Sequence, residues 1–164
     1  MLVALTVIHT ALSLVAIVTG VSVVADLLDS RMREGLTKLF LGAALLTSAS
    51  GFLFPFTQLL PSHAVGGLAL LVLAAITPAR YRYGLRGAWR AVYAGGAVAS
   101  LYLLVFVLVA QVFLKIPALL AAAPTLSEPP FAATQAAAFA VFAVLGIFAV
   151  RRFHPAAAPS AVVG

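Results

Sequence analysis

The chain has 164 residues, 64% hydrophobic and 9% charged, against roughly 25% charged in a soluble domain, so a water-soluble monomer is excluded and lipid must surround most of it. Ten Lys and Arg against four Asp and Glu give a net charge of +6, which in so apolar a chain reads as anchoring to anionic lipid and not as nucleic-acid binding. The absence of cysteine excludes disulfides, thiolate metal centres, iron–sulfur clusters and Cys nucleophiles.

Five apolar stretches follow in chain order. The first, about residues 2–25, is long enough to span with tilt; it has no basic leader and no small-residue cleavage site, which predicts a retained helix. A polar link, 26–38, precedes a second span over about 39–56 that ends at Pro55. A short turn over 57–62 leads to a third span, about 63–79, weakened at its ends by Gly66, Gly67 and Pro78; Ser62 is the expected N-cap. The link 80–90 is basic and aromatic, and the fourth span covers about 91–114. Residues 115–130 carry Pro117, Pro124, Pro129 and Pro130, and their short apolar run is expected to lie at the interface or dip part way in. The fifth span is about 131–150, and an Ala/Pro-rich tail, 153–164, is expected to be disordered.

Apolar runs near 20 residues predict helices and not a barrel. The expected fold is an all-α integral membrane bundle of five transmembrane helices over residues 1–152, with no separate soluble domain. With five spans, nine of the ten basic residues fall on one side: Arg31, Arg33 and Lys38 in the first link, Arg80, Arg82, Arg86 and Arg90 in the third, and Arg151 and Arg152 after the last span. Only Lys115 falls on the other. Basic links stay in the cytoplasm during insertion, so the N-terminus is expected outside and the C-terminus inside. Tyr81, Tyr83, Trp89 and Tyr93 beside the third link suit an interfacial aromatic belt, and the four arginines there are candidates for lipid headgroups. Small residues at four-residue spacing (Ala43, Thr47 and Gly51; Gly95 and Ala99; Gly96 and Ser100; Ala132, Ala136 and Ala140) predict close helix packing.

No charged residue lies in the middle of a span, which argues against transport coupled to a buried carboxylate. The uncharged polar residues gather instead at one depth. His9 is about 10 Å below the outer surface at 1.5 Å per residue, and Gln111 and Gln135 lie about one turn inside their helices. Gln58, His63, Lys115 and Glu128 lie just above them. A polar layer near one mouth of an apolar bundle fits an outward-facing small-molecule pocket. Each residue also has a structural reading. The glutamines suit interhelical bonds, Lys115 suits snorkelling, and Thr125 to Glu128 has capping-box spacing ahead of Pro129 and Pro130. No cofactor is firmly implied. Haem b held by His9 and His63 is an alternative, although the two sit at different depths, and a quinone near His9, Gln111 and Gln135 is another.

The strings 50–55 (SGFLFP), 61–63 (PSH), 87–90 (GAWR), 105–111 (VFVLVAQ) and 123–131 (APTLSEPPF) resemble a family of small, uncharacterised bacterial polytopic membrane proteins. The resemblance implies a multi-pass protein of the bacterial inner membrane and carries over no functional residue. Most consistent with these features is a non-enzymatic ligand-binding module or accessory subunit. Its partners would be anionic lipid on the cytoplasmic face, further copies or other membrane subunits. Haem- or quinone-based electron transfer and a passive channel or carrier are the alternatives.

Overall fold

The computed structural model describes residues 2–54 and 61–155, and among these there are helices and no strand. The elements are α1 (Leu2–Leu28), α2 (Glu34–Gly51), α3 (Pro61–Tyr81), α4 (Ala88–Lys115), α5 (Pro117–Ala122) and α6 (Pro129–Arg152). Four of them (α1, α3, α4 and α6) are long and apolar enough to cross a membrane. The expected second span is the exception. α2 has 18 residues, carries Glu34 and Lys38 in its first turns, and does not reach the apolarity of the other four.

α4 is the central element. It packs against α1, α3, α5 and α6, while α2 closes the ring between α1 and α3, and α6 lies against α4 and α1. Lipid tails are as apolar as the side chains, so association here rests on close backbone approach and dispersion. Gly96 shows this most directly. A Cβ there would come within 2.2 Å of the Ile76 side chain, which is itself fully buried between α3 and α4. Gly20 on α1 plays the same part, since a Cβ would meet Leu101 and Phe40 at 2.8 Å. Around these contacts sits the core: Val23 and Leu27, Phe40 and Ala44, Leu73 and Ile76, Tyr93, Ala97 and Leu101, with Ala149 and Phe153 from the last element. The outward faces are apolar too, with Val3, Val18, Leu71 and Phe139 exposed, as a lipid-facing surface requires.

The arginine-rich end is tied by ions. α1 runs three residues past the expected end of the first span, so Asp26 falls inside the helix and is 4% exposed. Arg33 Nε reaches both its carboxylate oxygens, at 2.8 and 3.1 Å. Beside this pair, Glu34 at the start of α2 takes Arg80 from the end of α3 and Lys38 one turn on. Arg90 Nη1 donates to the carbonyls of Val150 and Phe153, closing the C-terminal end of α6. Two of the four arginines expected at lipid headgroups, Arg80 and Arg90, are therefore engaged within the bundle; Arg82 and Arg86 stay exposed. Trp89 stacks on Tyr83 with centroids 4.1 Å apart.

Residues expected to be loose from 153 onward begin with two that are held. Phe153 is fully buried, with its ring 5.9 Å from Tyr93, and the His154 amide donates to Ser30 Oγ at 2.7 Å. The remainder of that tail, from 156, lies outside the described residues. At the other end α5 is a short helix against the end of α4. α3 starts at Pro61, so Ser62 is inside the helix and is not its N-cap.

Candidate functional site

At the end remote from the arginines, α1, α2, α3 and α4 separate and leave a cavity of about 560 Å³. α2 spans about 27 Å at 1.5 Å per residue and α1 about 40 Å, and the last turn of α2 lines the cavity through Thr47, Ser48 and Gly51. Below Ile17 and Leu104 the space is closed by the core around Phe40, Leu101 and Ile76.

The wall contributed by α1 is a stripe. Thr6, His9, Thr10, Ser13 and Ile17 follow helical spacing and all line the cavity. Two of the hydroxyls are satisfied inside the helix: Thr6 Oγ1 donates to the Leu2 carbonyl at 3.0 Å and Ser13 Oγ to the His9 carbonyl at 2.8 Å. From α2 come Thr47, Ser48 and Gly51; from α3, His63, Gly66 and Ala69; from α4, Leu104, Val107, Leu108, Gln111 and Lys115.

His9 is the most constrained polar group here. Its Nδ1 lies 2.9 Å from Ser50 Oγ, and the Ser50 hydroxyl lies 3.1 Å from the Thr47 carbonyl. A hydroxyl has one hydrogen, and the carbonyl can only accept. Ser50 therefore donates to Thr47, and His9 Nδ1–H donates to Ser50. This network leaves the lone pair of the neutral ring on Nε2, as an acceptor or ligand atom. Phe54 packs on the imidazole edge-on at 5.3 Å, and Phe52 lies 5.7 Å from the His63 ring. A buried hydroxyl sits at the same level. Thr47 is 5% exposed, and its Oγ1 has no partner among the described residues. An unpaired buried hydroxyl is costly in an apolar setting, and this one lines the cavity.

Of the residues expected to form the pocket, His9, His63, Gln111 and Lys115 come together. Gln135 does not. It faces α4 and not the cavity, and its Nε2 donates to the Phe106 carbonyl at 3.0 Å; depth alone could not tell which side of the helix it occupies. Glu128 is absent from the mouth as well. Its carboxylate folds back onto its own loop, accepting from Thr125 Oγ1 at 2.8 Å and from the amides of Thr125 and Ser127. α6 starts after Glu128 and not after Thr125, so the capping-box spacing makes a loop clasp and not a helix cap. Desolvation pushes the Glu128 carboxyl up, but these hydrogen bonds together outweigh it and hold the group below its ordinary value. Gln58 lies outside the described residues.

Residue-by-residue reading missed Thr6, Thr10, Ser13, Thr47 and Ser48. The signal for the first three was present: hydroxyls at 6, 10 and 13 share a helical face with His9. Of the small-residue stripe Ala43, Thr47 and Gly51, Ala43 lies in the hydrophobic core, while Thr47, also buried, and Gly51 line the cavity.

Fold and site define a multi-pass helical bundle with a part-polar cavity at one end. Comparison with family models, curated proteins and solved structures finds no match.

Proposed function

We propose that this is a small bacterial inner-membrane protein that binds an amphipathic small molecule in the cavity around His9, and that it does so without catalysing a reaction. The observation that carries this reading is the meeting of His9, Thr47, Gln111 and Lys115 from three helices around one space whose remaining wall is mainly apolar, with Leu, Val, Ile and Phe side chains beside a few hydroxyls and His63. Such a space, mostly apolar with a few convergent polar groups, is what a small-molecule site requires.

The cavity opens outward in this reading, with five crossings, the N-terminus outside and the C-terminus inside. α2 serves as a short crossing. Its first turn meets the end of α3 through Glu34 and Arg80, and its last turn meets the N-terminal half of α1 through Ser50 and His9. It therefore reaches from the arginine-rich end to the cavity despite its length. Nine basic residues at the end remote from the cavity supply the orientation.

Extraction and mass spectrometry of the protein purified in mild detergent test this reading, with Ala69→Phe as the comparison. Ala69 lines the cavity, and a phenyl ring there obstructs part of it. One amphiphile enriched in the native protein and lost in the variant is the expected result. Identical extracts would overturn it.

Haem is the second reading, favoured by His9 and His63 on different helices lining the same cavity. The Nδ1–H bond from His9 to Ser50 is also the kind of partner that orients a ligating imidazole. A Soret band in the purified protein, lost in His9→Ala, is its signature; a colourless protein removes it.

A further inference from the structure

We infer that the molecule bound in the cavity is an acidic amphiphile, a carboxylate or phosphate on a medium-length alkyl chain, with its anionic head at Lys115 and its chain running inward. This rests on the ligand-binding reading and adds the charge and direction of the ligand.

The argument is one of ion pairing. Lys115 is the single basic residue at the cavity end. It lines the cavity and forms no ion pair among the described residues. Three of the four acids, Asp26, Asp29 and Glu34, are held at the opposite end by Arg31, Arg33, Arg80 and Lys38. The fourth, Glu128, is consumed by Thr125 and Ser127 in its own loop. Residues 55–60 and 156–164 contain no Asp or Glu. Among the described residues, no Asp or Glu side chain pairs with Lys115. Lys115 is exposed at the rim of the cavity, so its ammonium can meet an anionic head while the chain below lies against apolar side chains.

The rest of the cavity fixes what else the anion must carry. Gln111, one turn below Lys115, adds an amide next to the head. Beneath it the α4 wall is Leu108, Val107 and Leu104, faced by Leu14 and Ile17 of α1 and Ala69 of α3. From Lys115 to Leu104 the wall descends about 16 Å at 1.5 Å per residue, which suits an extended alkyl chain. A free phosphate or a short acid would leave this apolar wall unused, and a neutral amphiphile would leave Lys115 unpaired.

Binding of radiolabelled laurate to the full chain in phosphatidylcholine nanodiscs tests this, with dodecanol as the neutral competitor of equal length. Laurate is expected to bind saturably and at least about tenfold more tightly than dodecanol, a difference of about 1.4 kcal/mol. Lys115→Gln should abolish that preference, and Lys115→Arg should keep it. Nanodiscs containing phosphatidylglycerol separate the two natural sources of such a head. Competition with laurate points to an anionic phospholipid, and its absence points to a free acid; either supports the inference. Equal affinity for laurate and dodecanol, or a preference that survives Lys115→Gln, overturns it while the cavity stands as a neutral-ligand site. If neither probe binds saturably, or if Ala69→Phe leaves both unaffected, the ligand-binding reading itself falls.

Discussion

His9 Nδ1 donates to Ser50 Oγ across 2.9 Å, joining the first third of α1 to the last turn of α2 over 41 residues of sequence. Because Ser50 spends its hydrogen on the Thr47 carbonyl, this contact selects the tautomer of the imidazole.

Ser50→Ala should release that tautomer. Nitrogen-15 NMR of the imidazole is expected to show Nδ1 protonated in the native protein and a mixture of tautomers in the variant. An unchanged spectrum would mean that Ser50 does not orient His9.

Gly96→Ala should destabilise the bundle by about 1–3 kcal/mol, the usual cost of overpacking a filled core. The added methyl meets Ile76 at 2.2 Å, and Ile76 is enclosed and β-branched. Gly67→Ala is the control, since nothing lies within 4 Å of its Cβ position. Thermal unfolding in detergent should separate the two variants clearly.

Asp26→Asn should lower the melting temperature more than Asp29→Asn does. Asp26 is buried and accepts one bifurcated hydrogen bond from Arg33 Nε–H through both carboxylate oxygens, and that bond is the main cause holding the Arg33 guanidinium above its ordinary value; Asp29 and its partner Arg31 are both exposed. Exposed pairs contribute little. Equal shifts would contradict the assignment of Asp26 as the structural member.

The Glu128 clasp should be acid-sensitive. Its carboxyl is depressed in the folded chain, so the clasp contributes fully above the group's ordinary value, and the contribution is lost as pH falls through the lower, folded value. The amide proton shifts of Thr125 and Ser127 report this directly. Both should titrate together below the ordinary carboxylate range, and Thr125→Ala should move their midpoint upward.

Gln135→Leu should leave ligand binding intact. The side chain bonds Phe106 on α4, and its Oε1 is buried without a partner among the described residues, so an apolar replacement of similar size removes an unmet acceptor along with one bond. Lost laurate binding in this variant would return Gln135 to the site.

Depth was legible in the chain, and direction was not. Run lengths place His9, Gln111 and Gln135 at comparable levels, but a helix has two sides, and the contact of α6 with α4 decides that Gln135 turns away from the cavity. The arginine links behave alike. Their bias is visible as a pattern, yet whether Arg80 faces lipid or Glu34 depends on how α2 and α3 lie together. α2 was hardest to read. Its charges at Glu34 and Lys38 lower its apolarity below that of the other long helices, while its last turn lines the cavity through Thr47, Ser48 and Gly51.

The most direct test uses the chain's lack of cysteine. Gln111→Cys places one thiol in the cavity, and a membrane-impermeant maleimide added to intact cells reads its access. The account predicts labelling from outside that saturating laurate blocks. Labelling only after the cells are permeabilised, or labelling that laurate leaves untouched, would contradict it.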